Sequence, residues 1–248
     1  MKFARYEAHG EVAYGVVEND AVFQLTTTPF EDYEITDHGH GLDDVHLLAP
    51  HIPGKLMAIG LNYASHLGDK TPPAVPEPFF KPTSAIINPG DSIVIPEGAT
   101  KVQEEGELVV VIGKRCKGVS RANALDYVLG YTCGNDVSER VWQSGDLQWW
   151  RGKGSDTFAP LGPYIVTDVE PGDLQLTACV NGEVAQESST ANLIHDVPAI
   201  IEWVSRAMTL EAGDMIMTGT PGQPWDINPG DTVDVEIEGV GVLTNPVR

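Results

Sequence analysis

Four short turns constrain the fold of this chain more than any other feature. Pro89-Gly90-Asp91, Pro171-Gly172-Asp173, Ala212-Gly213-Asp214 and Pro229-Gly230-Asp231 each precede a strand-like run. Proline presets φ in three of them and glycine supplies positive φ, the chemistry of a type II turn that reverses the chain before a strand. Residues 107–112, 164–167, 174–180, 214–218 and 232–237 are apolar or β-branched runs separated by Gly, Pro and Asp clusters. That pattern predicts a mostly β core with few helices. The turns are irregularly spaced, so they punctuate the chain rather than mark an internal duplication.

Two helices fit into this background. Ser120 is placed to cap a helix over 121–129 with Gly130 as its left-handed stop, and Asp196 to cap one over 197–208 with Pro198 in the first turn. Ile200, Ile201, Val204 and Met208 form a single stripe in the second helix, which reads as packing. The first fifty or so residues hold short alternating pieces followed by a polar stretch over 26–44. They predict a small N-terminal β domain, residues 1–54, ahead of a main domain, residues 55–248.

Charge excludes several partners. The 248 residues carry 36 acidic against 15 basic side chains, a formal net charge of −21. Nucleic acid and anionic membrane are held by Lys and Arg, so neither is an expected partner. The acids are scattered, which fits a solvated surface; only 8 lysines are present, which also fits adaptation to a salty cytoplasm. Cys116, Cys133 and Cys179 are odd in number with no Cys-x-x-Cys spacing, and read as reduced, buried small hydrophobes. No apolar run approaches the ~20 residues of a membrane-spanning helix. The opening MKFARYEAHGEV lacks the apolar stretch of a secretory signal, so a cytoplasmic location is expected.

The most informative stretch is 103–113, QEEGELVVVIG. Residues two apart on a strand share a face, so Glu105 and Glu107 present two carboxylates together. An all-carboxylate site suits Mg²⁺, Mn²⁺ or Ca²⁺ and not zinc, although adjacent acids at a strand start also serve simply as solvated groups. Asp136, in GYTCGNDVSER, follows a β-like run and offers either a third carboxylate or an Asx turn. His66 lies three residues before Asp69 in GLNYASHLGD; on one helical turn the acid would orient the imidazole as a general base. Lys153 is either a solvated loop lysine or an electrophile beside developing negative charge. Thr218-Gly219-Thr220-Pro221-Gly222 could offer amides and a hydroxyl to an anion.

Taken together, these pieces resemble the fumarylacetoacetate hydrolase superfamily. The resemblance runs through GLNYASH, PFFKPTSA, EEGELVVVIGK, GYTCGNDVSER, KGSDTFAPLGP, NGEVAQESST, TLEAGD, TGTP and PGDTVDVEIEGVGVLTNPV, in order over about residues 55–248. It implies a pseudo-barrel of mixed sheets, a homodimer, and Mg²⁺ or Mn²⁺ held by Glu105, Glu107 and Asp136. By motif position the catalytic residues are His66, Asp69 and Lys153, and the substrate-binding residues Arg140, Gln143, Thr190 and Thr220. Two positions depart from the pattern. Asp69 stands where many members have Glu, so contact with His66 needs a lid shift or a bridging water. Gly222-Gln223-Pro224-Trp225 replaces a more Gly-rich loop.

The implied reaction begins with a small anionic 2-oxo acid that chelates the metal through its carboxylate and adjacent carbonyl. In the hydrolytic reading, His66 and Asp69 activate water toward the C4 carbonyl of an acylpyruvate such as fumarylpyruvate or acetylpyruvate. Carbon-carbon cleavage then expels pyruvate enolate, held by the metal and Lys153. The same enolate serves isomerisation of 2-hydroxyhepta-2,4-diene-1,7-dioate, or decarboxylation or tautomerisation of oxaloacetate. A catalytically silent scaffold that binds a metal-chelated 2-oxo acid is the reading outside enzymology.

Overall fold

The chain starts as an antiparallel meander, β1 (Lys2–Ala8), β2 (Glu11–Glu18), β3 (Ala21–Leu25) and β4 (Ile35–Gly41). His9 and Gly10 both take positive φ (53° and 83°), the two-residue turn whose twist suits a hairpin. The remaining strands of the computed structural model, which describes residues 1–248, are β5 (His46–Leu48), β6 (Leu56–Gly60), β7 (Glu77–Lys81), β8 (Ile86–Ile87) and β9 (Val102–Gln103). They continue with β10 (Gly106–Ile112), β11 (Val128–Asn135), β12 (Ser138–Glu139), β13 (Ala159–Val166), β14 (Gln175–Val180) and β15 (Glu183–Ser189). The last three are β16 (Met215–Met217), β17 (Thr232–Ile237) and β18 (Gly241–Pro246). Three α-helices interrupt them: α1 (Arg140–Gly145), α2 (Trp150–Gly154) and α3 (Val197–Ala207).

Twelve strands form one sheet, ordered β4-β3-β2-β1-β13-β11-β10-β16-β6-β7, with β5 on β1 and β8 on β13. β16 with β6 and β8 with β13 are parallel and the other pairs antiparallel, so the sheet is mixed. A second sheet, β15-β14-β17-β18, covers part of it. The protein is therefore mostly β, as expected. The N-terminal strands join the large sheet directly, through Lys2 and Phe3 of β1 opposite Val166 and Ile165 of β13. No helix is long and apolar enough to cross a membrane.

Strand β10 is the centre of the molecule, with all seven residues buried. Leu108, Val110 and Ile112 enter a core shared with α3 and the second sheet, through Ile200, Ile201, Val204, Leu176 and Val235. Val109 and Val111 face the opposite way, toward Leu161, Ile165, Met215 and Met217. Burial on both faces explains the unbroken apolar run, which does not alternate as a one-sided strand would. Gly106 is needed because the second sheet passes close over its face: a Cβ there would meet the Ala178 Cβ at 3.0 Å.

The two helix expectations fare differently. Asp196 caps α3 by accepting from the Ala199 amide at 3.0 Å, and Met208 follows as its C-terminal cap. Residues 121–129 do not form the expected helix. Arg121–Tyr127 is a 3₁₀ segment, Ser120 makes no side-chain capping bond, and Val128 to Gly130 already belong to β11. Gly130 is not a left-handed stop; a Cβ there would lie 2.4 Å from the Val166 carbonyl oxygen, so it permits close strand approach. Pairing with β10 and β13 outweighs the local helical signal. Of the four turn glycines, Gly90, Gly213 and Gly230 take φ of 81°, 86° and 101°, whereas Gly172 stays outside the left-handed region.

Two stability predictions follow from this packing. A Cβ at Gly134 would lie 2.5 Å from Val109 Cγ2 and 2.9 Å from Met217 Cε, so Gly134→Ala should cost about 1–3 kcal/mol in urea unfolding. His51 bonds Tyr14 Oη through Nδ1 at 2.8 Å; burial, then Arg5, pushes its pKa down to about 4. The unfolded chain takes up that proton near pH 6.5, so stability is full above this value and falls as pH drops toward 4. Calorimetric midpoints should fall less steeply across that window in His51→Gln.

Candidate active site

Glu105 and Glu107 lie on the face of β10 that also carries Val109 and Val111. Asn135 pairs with Gly106, and the ladder continues one residue further: the Asp136 amide donates to the Glu105 carbonyl at 2.9 Å. In return the Glu105 amide donates to Asn135 Oδ1 at 2.9 Å. This register brings three buried carboxylates together, with one oxygen of each within 4.8 Å of the others.

Three cations answer them. Lys153 Nζ donates to Glu105 Oε2 at 2.5 Å and Asp136 Oδ2 at 2.6 Å, and Arg140 Nη2 donates to Glu105 Oε1 at 2.5 Å. Lys81 Nζ, fully buried, donates to Asp136 Oδ1. Burial alone would raise the Glu105 pKa, but Lys153, Arg140 and His66 outweigh it and hold the carboxyl far below its usual range. Glu107 has no cationic partner; burial, then Asp136 and Glu105, drive its pKa well up. Burial lowers the Lys81 pKa despite Asp136, whereas Asp136 and Glu105 overcome burial and raise that of Lys153.

The loop after β16 runs beside β10. Gly219 donates its amide to Glu107 Oε2 at 2.6 Å, and Thr220 Oγ1 donates to the Gly106 carbonyl at 2.9 Å. The anion served by this turn's amide is therefore the protein's own glutamate. Gln186 bridges the same place, accepting from the Gly106 amide at 3.0 Å and donating to Thr220 Oγ1 at 2.8 Å.

His66 closes a 3₁₀ turn, Ala64–His66, with Nδ1 2.8 Å from the Gly222 carbonyl oxygen and Nε2 3.8 Å from Glu105 Oε1. A carbonyl only accepts, so Nδ1 carries the proton and the Nε2 lone pair faces the carboxylates. Burial lowers the His66 pKa, with Glu105 offsetting part of the effect.

His66, the three carboxylates, Lys153 and Thr220 line a cavity of about 30 Å³ with Ile59, Leu61, Phe79, Gln143 and Trp149. Trp149 meets Phe79 edge-on, with centroids 5.5 Å apart. Leu61 and Trp149 sit at φ of 58° and 59°, a left-handed conformation that costs a bulky residue roughly 1–3 kcal/mol.

The structure thus brings together Glu105, Glu107, Asp136, His66, Lys153, Gln143 and Thr220 at one cavity, with Arg140 bonded to its edge. Gln143 accepts from Arg140 Nη1 at 3.0 Å. Two expected residues stand apart. Asp69 is exposed and has no hydrogen bond or ion pair with His66, because the helical turn ends at His66 and Gly68 (φ 56°) redirects the chain. Thr190 is buried outside this cavity, its Oγ1 accepting from the Leu174 amide at 2.8 Å. Glu104 turns out fully buried: Oε1 accepts from the Trp225 amide at 2.9 Å, Oε2 has no partner, and burial pushes its pKa up to about 7.

Lys81 carries no motif signal of its own that marks it as a partner of Asp136. What points to it is parity on β7, where Phe79 and Lys81 share a face, and its rarity as one of 8 lysines.

A large mixed sheet carrying a buried carboxylate trio beside an imidazole defines a protein of the fumarylacetoacetate hydrolase type. The family model described as fumarylacetoacetate (FAA) hydrolase, C-terminal, matches residues 55–248, and one described as Rv2993c-like, N-terminal, matches residues 1–50. The chain belongs to the fumarylacetoacetate hydrolase family. It is 45% identical to Protein Rv2993c of Mycobacterium tuberculosis, over 100% of this chain and 98% of that protein. It is 39% identical to the mitochondrial oxaloacetate tautomerase FAHD2A of Bos taurus, over 96% of this chain and 77% of that protein. Among solved structures it matches a 5-carboxymethyl-2-hydroxymuconate delta-isomerase from Mycobacterium smegmatis, with TM-score 0.95, 46% identity, and 100% and 99% of the two chains covered. It also matches a maleylpyruvate hydrolase from Sphingobium sp. SYK-6 in complex with manganese(II) and pyruvate, with TM-score 0.83, 29% identity, and 100% and 98% covered.

The donor set fits a hard divalent cation: three carboxylate oxygens, one from a glutamate with no cationic partner of its own. Asp136→Asn should weaken Mn²⁺ binding, read by titration calorimetry, by more than the ~10–100-fold seen on removing a group that merely supports a ligand.

Proposed function

We propose that this protein enolises a small anionic 2-oxo acid and returns the proton at another atom, as an isomerase or tautomerase with Mg²⁺ or Mn²⁺ as cofactor. The observation that carries this reading is His66 facing the carboxylate trio through Nε2, with Asp69 turned away to solvent. A lone neutral imidazole is suited to moving a proton, whereas water activation would want the acid behind it.

Glu105, Glu107 and Asp136 would hold the metal, which when bound polarises the carboxylate and adjoining carbonyl of the 2-oxo acid. Arg140 and Gln143, fixed to one another at 3.0 Å, would orient the substrate's remaining polar end. His66 Nε2 would take a proton from C3 and become an imidazolium facing Glu105, which favours that charge. Lys153, a buried ammonium bonded to Glu105 and Asp136, would stabilise the developing enolate oxygen. The imidazolium would then return the proton to a conjugated carbon, giving isomerisation, or to the enolate oxygen, giving the enol. Likeness to a delta-isomerase and to an oxaloacetate tautomerase, each aligned over nearly the whole chain, supports this outcome.

A second reading, carbon-carbon hydrolysis of an acylpyruvate, is favoured by the maleylpyruvate hydrolase that holds manganese(II) and pyruvate. It requires residues 64–70 to swing Asp69 onto His66. Ultraviolet absorbance of oxaloacetate, an enolised acylpyruvate and 2-hydroxyhepta-2,4-diene-1,7-dioate separates the outcomes when pyruvate is measured in parallel. The expected result is an absorbance change without pyruvate, a loss of about 10²–10⁴-fold in kcat for His66→Ala with Mn²⁺ binding retained, and little change for Asp69→Asn. Pyruvate release from the acylpyruvate that disappears in Asp69→Asn would replace this reading with hydrolysis.

A further inference from the structure

At the far end of the large sheet, three of the chain's 7 histidines gather away from the carboxylate cavity. His38 and His40 lie two apart on β4, the outer edge strand, and therefore share a face. His9 occupies the β1–β2 turn at φ 53°. The N-terminal strands curl enough that the His38 and His40 rings approach to 4.8 Å and the His9 and His40 rings to 5.7 Å. Neither pair stacks; the interplanar angles are 85° and 58°.

From these contacts we propose a second metal site, specific for a borderline ion such as Zn²⁺, built on His38 and His40 and completed by His9 and water. Tetrahedral ligation at a Zn–N distance of about 2.0–2.1 Å places imidazole centroids roughly 5 Å apart, a spacing that the two observed separations bracket. His9 and His38 are exposed, so their rings turn at little cost to present a nitrogen inward.

An independent observation points to a ligand here. Tyr6 is 1% exposed, its ring lies 5.9 Å from that of His40, and its hydroxyl has no hydrogen-bond partner. A buried hydroxyl left unpaired calls for an explanation, and its tyrosine borders the same 100 Å³ cavity as the three imidazoles, together with Glu11 and Gln24. Imidazole nitrogens select zinc, nickel or copper, whereas the carboxylate trio selects magnesium or manganese, so the two sites sort ions by donor type. The strongly negative surface raises the local concentration of either. Ion binding would pin the β1–β2 turn to the free edge of β4.

The test uses untagged full-length protein stripped with chelator and titrated with Zn²⁺ against a chromophoric competitor, in excess Mg²⁺ to occupy the carboxylates. We expect one tightly bound Zn²⁺ per chain, weakened about tenfold or more in His40→Ala and in His38→Ala. Asp136→Asn should leave it unchanged. Zn²⁺ should also raise the thermal midpoint of the wild type in a concentration-dependent way, and not that of His40→Ala. Unaltered Zn²⁺ binding in His40→Ala, or none in the wild type under excess Mg²⁺, would overturn the proposal. Zn²⁺-dependent dimers on size exclusion that vanish in His40→Ala would replace the single-chain site with one between two copies.

Discussion

Everything at the functional end of this protein depends on holding three carboxylates together out of water. Like charges so placed repel, and burial multiplies the repulsion. The chain, poor in lysine, places two of its eight, Lys81 and Lys153, against this cluster, with Arg140 beside them. The compensation is unequal. Glu105 and Asp136 are each held by two cations, whereas Glu107 receives only a backbone amide. A divalent cation held by the trio would complete the compensation at Glu107.

The cluster is delivered by the most rigid element available. β10 is buried on both faces, so its position is fixed by two cores at once, and the side chains at its start inherit that precision. Gly106, between the two glutamates, completes the arrangement: its neighbours point to the cavity while its bare face lets the second sheet lie down. The Glu-Gly-Glu sequence is thus a packing solution as well as a ligand spacing.

Much of this arrangement is legible in the sequence. Period-two spacing located Glu105 and Glu107 on one face, and the capping signal of Asp196 defined α3. The features that the sequence does not reveal depend on tertiary contact. The 121–129 segment carries local helix signals, but β11 needs its last residues for pairing. Asp69 is three residues past His66 in sequence, and a left-handed glycine between them cancels the expected proximity. Lys81 and Glu104 look like ordinary charged residues until the sheet folds over them. The Asn181-Gly182 turn, which closes β14 onto β15 at φ of 54° and 78°, was in plain view as a hairpin signal.

The first half of the loop between β16 and β17 has a wider consequence. Its Gly219 amide holds Glu107, its Gly222 carbonyl sets the tautomer of His66, and its Trp225 amide holds the buried Glu104. One seven-residue stretch of backbone therefore clamps an acid of the carboxylate trio, the imidazole opposite, and a carboxyl behind them. Because all three contacts are made by main-chain atoms, the side chains at Gln223, Pro224 and Trp225 can diverge without releasing any of them. Changing side chains along this stretch would therefore leave the trio and the imidazole in register, while insertion of a single residue would disturb both together.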